Sequence, residues 1–285
     1  MTLLECIDSI EKKAAEEIKA EQGDYMLDDL LHCGKCHTPK QTRVELFGQI
    51  RTPMCLCKCM AEKRDREEQE RKRWEFEKRV KEMRRAGFPD EEMQRWTFAY
   101  DDHANEYISN IARNYVENFA EMRKNGKGLV LFGTVGTGKT FTAACIANAL
   151  IDKGHPCLVT NFARLTNTIS GMFEGKQEYI DKLNDYSLLV IDDLAAERNT
   201  EYMNEIVFHI IDSRYRAGLP IIITTNLTAQ ELKNPADMSK KRIYSRLFDM
   251  CLLVEVSGDD RRRKHLRQDF TKYQDMLGIR KAETT

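Results

Sequence analysis

Residues 133–140 read Gly-Thr-Val-Gly-Thr-Gly-Lys-Thr, three glycines at set intervals followed by a lysine and a hydroxyl. Glycine turns at positive φ without a Cβ clash, so Gly133, Gly136 and Gly138 let successive amide N–H groups face one concavity, where phosphate oxygens are held. Lys139 then offers a cation to the β- and γ-phosphates, and the Thr140 hydroxyl can ligate Mg2+. The pattern Gly-x-x-x-x-Gly-Lys-Thr is that of a Walker A loop. Gly133, Thr134, Val135, Gly136, Thr137, Gly138, Lys139, Thr140 and Phe141 are therefore expected to bind a nucleoside triphosphate.

Such a loop needs an acidic partner for its metal. In SLLVIDDLAAE an apolar run delivers Asp192 to the carboxyl end of an expected strand, where ligands collect in parallel sheets, and Asp192 is suited to hold a magnesium water. Asp193 follows and can orient or deprotonate an attacking water; the plainer reading is a cap for the next helix. LPIIITTNL ends in Thr224, Thr225 and Asn226, and the Asn226 amide could contact the γ-phosphate or that water. In SKKRIYSRLFDM, Arg242 and Arg246 share one helical face, as an arginine carried to a neighbouring subunit's nucleotide would require. A basic surface helix is the alternative. GDDRRRKHLR offers further cations, of which one could reach the phosphates from the same subunit.

The cysteines carry a second chemistry. Cys33-x-x-Cys36 is followed after a spacer by Cys55-x-Cys57-x-Cys59. Reduced thiolates so spaced make a tetrahedral zinc site, and a short segment with hardly any core needs such a staple. Four ligands suffice: Cys33, Cys36, Cys57 and Cys59 are favoured, Cys55 is the substitute, and His32 and His37 sit close enough to compete. Redox thiols and an iron–sulfur cluster are the other readings. Cys6, Cys145, Cys157 and Cys251 lie in apolar contexts that suit packing.

These groups need a scaffold, and the 285 residues, 41% of them apolar, can supply one large domain with smaller pieces. The 32% charged fraction balances to a net charge of -1, which decides nothing about nucleic acid. No apolar stretch has membrane-spanning length and the amino terminus lacks signal-peptide features, so the expected location is cytoplasmic, where clustered cysteines suggest metal. Residues 1–25 are expected as an N-terminal helix, 26–60 as the zinc-binding module and 61–90 as a charged helical connector with self-paired Glu and Arg. From 91 to 257 the runs GLVLFG, PCLVTN, SLLVIDD, LPIIITTN and CLLVEV alternate with amphipathic helices. Strands apolar on both faces predict an α/β domain, a five-stranded parallel sheet flanked by helices. Residues 258–285 read as a basic C-terminal helix and tail.

Together GKGLVLFGTVGTGKT, LLVIDDLAAE, FHIIDSRYRAGLPIIITTNL and KRIYSRL resemble the DnaC, DnaI and IstB group of AAA+ P-loop ATPases, in particular the DnaC-like replication proteins of phages and prophages. The resemblance spans about residues 91–264. It implies ATP and Mg2+ at Lys139, Thr140 and Asp192, a catalytic place for Asp193, a nucleotide-sensing role for Asn226, and Arg246 as the arginine finger acting in trans, with Arg242 as fallback. Arg262 is the residue it suggests for the second sensor, with the run Arg261 to Arg263 leaving the register open. Asp193 stands where the wider AAA+ pattern has Glu, which implies slow hydrolysis stimulated by DNA or a partner. The group's role implies delivery of a DnaB-type replicative helicase to single-stranded DNA, with self-association through the finger and no membrane. The alternatives are an IstB-like transposition helper and an adaptor that binds ATP without useful turnover. For a DNA strand the sequence offers only Phe162, Arg164, Phe173 and Lys176, each as apt for core or surface.

Overall fold

A computed structural model describes residues 3–194, 200–235, 237–261, 273–274 and 276–279. The chain divides into two compact units, Met1–Glu77 and Lys78–Thr285. None of the helices among the described residues is long and apolar enough to cross a membrane.

The first unit opens with helix α1 (Leu3–Glu17), followed by two hairpins, β1 (Tyr25–Leu27) with β2 (Leu30–His32) and β3 (Val44–Leu46) with β4 (Gln49–Arg51). Three-residue strands give no hydropathy signal, and the turns hold them. Asp28 and Asp29 sit at φ 50° and 59°, and Phe47 and Gly48 at 53° and 76°, the left-handed pair that matches strand twist in a two-residue hairpin loop. A buried ion pair ties the unit together. The Asp24 carboxylate accepts from Lys40 Nζ at 2.6 Å, from the Gly34 amide at 3.0 Å and from the Glu21 amide at 2.8 Å. The Lys40 ammonium, first among these donors, holds the Asp24 carboxyl down at about 2. Helix α2 (Lys58–Gly87) begins in this unit at the last cysteines.

The last ten residues of α2 belong to the second unit, where Val80 and Phe88 are buried in its core. There follow α3 (Glu106–Glu117), α4 (Phe119–Lys124), β5 (Gly128–Phe132), α5 (Lys139–Asp152), β6 (Cys157–Asn161), α6 (Phe162–Ser170), α7 (Lys176–Lys182), β7 (Leu188–Leu194), α8 (Glu201–Arg216), β8 (Ile221–Thr225), α9 (Ala229–Lys233), α10 (Met238–Met250) and β9 (Cys251–Glu255). The five strands form one parallel sheet in the order β6-β7-β8-β5-β9. Each of the five apolar runs of the sequence becomes one strand. Alternate residues feed opposite cores: Leu129, Leu131, Val190 and Ile222 pack with α3 and α5, whereas Val130, Leu189, Ile191 and Ile223 pack with α6, α8 and α10. Apolar side chains on both faces are what helices on both faces require.

One buried cation organises the lower edge of that sheet. Arg214, at the end of α8, donates to the carbonyls of Leu183, Tyr186 and Pro220 at 3.2, 2.9 and 2.6 Å, the last two in the segments that enter β7 and β8. Burial pulls its guanidinium down to about 10, so it still carries its charge at neutral pH. It fixes where two central strands start, and hence where their carboxyl ends arrive.

Candidate nucleotide site and cysteine centre

Strand β5 ends at Phe132, helix α5 begins at Lys139, and the glycine loop lies between them. Gly133, Gly136 and Gly138 adopt φ of 139°, 84° and 94°, conformations that L side chains rarely adopt. Lys139 is 5% exposed, and its Nζ donates to the carbonyls of Gly133 and Thr134 at 2.8 and 2.7 Å, so its charge is held inside the loop. Thr137 donates its hydroxyl to the Thr134 carbonyl at 3.0 Å and closes the turn.

Opposite the loop, Asp192 Oδ1 accepts the hydroxyls of Thr140 at 2.8 Å and Thr224 at 2.5 Å. The strand register explains why both acidic residues reach this place. Ile191 pairs with Ile223 and Leu194 with Thr225, so Asp192 and Asp193 together face Thr224, a β-bulge at the carboxyl end of β7. Asp193 takes up the extra residue at φ 57°, its amide donating to Thr224 Oγ1 at 3.0 Å. Its Oδ1 lies 3.5 Å from Asn226 Nδ2, at the long limit of a hydrogen bond. Burial raises the Asp192 carboxyl above its ordinary range, while the two hydroxyls pull the other way. A carboxylate in that condition is well matched to a divalent cation.

A cleft of about 730 Å³ joins these parts. Val135, Gly136, Gly138, Lys139, Thr140, Phe141, Asp192, Asp193 and Asn226 all line it, at sequence positions far apart. Its other wall was not expected: Met93, Trp96, Tyr100 and Asp102 come from the segment before α3, and the Trp96 ring lies 6.0 Å from that of Phe141. One end of the cleft is thus cationic and rich in amides, and the other is aromatic, a volume and polarity that suit a nucleotide. Arg261 also lines it, its amide donating to the Gly136 carbonyl at 3.0 Å and its Nη1 lying 3.1 Å from Asp102 Oδ1. Arg262 and most of the basic tail lie outside the described residues.

Arg246 and Arg242 stand elsewhere. Arg246 Nε donates to Asp212 Oδ1 at 3.0 Å with its guanidinium 4.9 Å from the Tyr215 ring centroid, and Arg242 stacks 4.2 Å over Phe208. Both line a separate, open cleft of about 250 Å³ with Lys241 and Ser245. Of the aromatic and basic DNA candidates, Phe162 is fully buried in the core and cannot stack a base, while Phe173 is fully exposed and Lys176 lies 3.2 Å from the Tyr202 hydroxyl.

The Sγ atoms of Cys33, Cys36, Cys57 and Cys59 all lie within 4.8 Å of one another, with Cys59 at 3.6 Å from Cys33 and 3.4 Å from Cys57. A tetrahedron of about 2.3 Å zinc–sulfur bonds has edges of about 3.8 Å, so the donor set fits that ion. The Lys35 amide donates to Cys33 Sγ at 3.4 Å. Such donors, chiefly the Cys36 amide, favour the Cys33 thiolate, and the Thr38 hydroxyl brings Cys36 down to about 5. Crowding among the sulfurs, Cys57 first, pushes Cys59 up to about 12. Four thiolates cannot share this space unaided, and a dication would reconcile them. Cys55 is not among them: its Sγ faces the Pro39 carbonyl at 3.7 Å, and burial raises its thiol. Cys145, Cys157 and Cys251 are buried, the last two within the two hydrophobic cores, and Cys6 is half-exposed.

A central parallel sheet in this order, with the glycine loop and paired aspartates at its carboxyl ends, defines an AAA+ P-loop protein. Over residues 59–269 the sequence matches the IstB-like ATP-binding proteins, and the chain belongs to that family. It is 25% identical over 161 residues to the replicative helicase loader DnaI of Bacillus subtilis (strain 168), covering 52% of this chain and 51% of that protein. With the replicative helicase loader DnaC of Escherichia coli (strain K12) the identity is 29% over 125 residues, 42% and 50% of the two chains. An insertion-sequence ATP-binding protein of Sinorhizobium fredii (strain NBRC 101917 / NGR234) is 34% identical over 146 residues, 49% and 48% of the two chains. The chain spans about half the length of these relatives. The crystal structure of DnaI matches with a TM-score of 0.50 at 26% identity, covering 61% of this chain and 94% of that one.

The raised Asp192 carboxyl has a thermodynamic sign. A group whose pKa is higher folded than unfolded favours folding while protonated, and that contribution is lost as pH rises through the folded value. At neutral pH the ionised Asp192 therefore works against the ligand-free fold. Asp192→Asn is expected to raise the ligand-free melting temperature at pH 7, to lose that advantage as the pH is lowered through the folded pKa, and to show less stabilisation by ATP with Mg2+ than is expected of the wild type. Melting curves across pH, with and without nucleotide, check all three.

Proposed function

We propose that this chain is an ATP-controlled loader that delivers a DnaB-type replicative helicase to single-stranded DNA. The observation that carries the reading is the similarity to DnaI, in sequence over about half of each chain and in the fold of the ATPase region. The cysteine segment, most of which precedes the stretch matched by the IstB-like family, supports a loader over its rival. That rival, a transposition helper, is favoured by the 34% identity to the insertion-sequence protein.

In this reading ATP lies in the 730 Å³ cleft with its phosphates on the glycine loop and Lys139. Thr140 and Asp192 would hold Mg2+, which supplies charge to the β- and γ-phosphates. Asp193 orients the attacking water, Asn226 reads the γ-phosphate, and hydrolysis is slow until DNA or a partner stimulates it. Arg261, lining the cleft, takes the same-chain role that the resemblance suggested for Arg262. Arg246, with Arg242 behind it, serves a neighbouring copy, which makes assembly a condition of full activity. Asp212 and the Tyr215 ring would have to release Arg246 first. Zn2+ held by Cys33, Cys36, Cys57 and Cys59 would staple the amino-terminal module that meets the helicase.

Retention of a purified replicative helicase by the full chain, compared with ATP and with ADP, tests the loader role. The wild type should respond to which nucleotide is present, and Lys139→Ala should abolish the difference; no helicase retained under any condition would favour the transposition helper. Zinc content is a separate check. About one ion per chain is expected, retained in Cys55→Ser and lost in Cys57→Ser.

A further inference from the structure

The aromatic wall of the nucleotide cleft is tied to the phosphate-binding helix by one buried side chain. Asn148 lies on α5, the helix that starts at Lys139 and Thr140, and it is 0% exposed. Its Nδ2 donates to the carbonyls of Met93 and Trp96, both at 2.9 Å, and its Oδ1 accepts from Arg84 Nε at 3.0 Å. Arg84 is itself paired with Asp152, one turn further along α5. Met93 begins, and Trp96 caps, a 3-10 turn over Met93–Arg95 whose short span gives it little stability of its own. Both line the cleft, across from Phe141 on α5.

An exposed helix position would not need an amide here. A buried one with both donors spent on carbonyls of another segment is a clamp, because losing it removes the side-chain partner of the Trp96 carbonyl and leaves the Met93 carbonyl with the Trp96 amide alone. The distance between the Trp96 wall and the glycine loop is thereby set from a single rigid helix. We propose that Asn148 is a positioning residue for nucleotide recognition: acting through Met93 and Trp96, it holds the aromatic wall at the spacing that grips the heterocyclic base while the loop grips the phosphates. The inference rests on ATP binding in this cleft and does not depend on the helicase.

The variant that isolates the clamp is Asn148→Asp, which keeps an acceptor for Arg84 and removes both donors. Calorimetric titrations of the full chain with ATP and with inorganic tripolyphosphate, each with Mg2+, read the two ends of the cleft separately. The expected result is a loss of roughly tenfold in ATP affinity, about the worth of one buried hydrogen bond, with tripolyphosphate affinity kept within about twofold. Unchanged ATP affinity in a folded variant, or an equal loss for both ligands, would overturn the proposal. If Asn148→Asp does not fold, Asn148→Ser, which keeps a single donor, is judged by the same outcomes. A wild type that binds neither ligand would overturn the ATP site itself and this inference with it, whereas failure of the loader role alone would leave these titrations unchanged.

Discussion

One oxygen atom, Oδ1 of Asp192, accepts hydroxyls from the phosphate-binding helix and from the neighbouring strand, Thr140 on one side and Thr224 on the other. The geometry of the site depends on that convergence. It holds α5 against the carboxyl ends of β7 and β8, and it does so with a carboxyl that burial has made reluctant to ionise. The apolar strands on either side supply the burial.

The bulge in β7 follows from the same point. A regular strand would send Asp192 and Asp193 to opposite faces of the sheet. With both opposite Thr224, and Asp193 in the left-handed region, the second carboxylate is turned toward Asn226 and the cleft. Asp and Asn tolerate that conformation better than other side chains with a Cβ, which gives a short acidic residue a structural reason to stand here. Asn148 extends the construction backwards along α5 to the aromatic wall, so one helix links the glycine loop to the segment that carries Met93 and Trp96.

What the sequence disclosed follows the reach of the interactions concerned. The glycine loop, the five strands and the cysteine pairs are local patterns, readable because each is written in a few consecutive residues. Thr224 was visible only as part of a polar strand end, since its role comes from register with β7. Trp96 and Asn148 gave no local signal, because each acquires its function from a segment some 50 residues away, and Arg261 was legible only as one of a run of arginines, since its place in the cleft comes from contacts with Gly136 and Asp102. Phe162 shows the converse case: an aromatic at the start of a helix is equally apt for stacking or for the core, and α6 turns it wholly into the core. Cys55 differs from its neighbours only in direction, and direction is not written in spacing.

For the proposed loader, the central claim is that nucleotide in this cleft and grip on the helicase are energetically coupled. Linkage makes that claim measurable from the nucleotide side. ATP with Mg2+ is titrated into the chain alone and into the chain saturated with a purified DnaB-type helicase, and the two dissociation constants are compared. Coupling predicts a difference of about fivefold or more; equal constants for free and helicase-bound chain would contradict it.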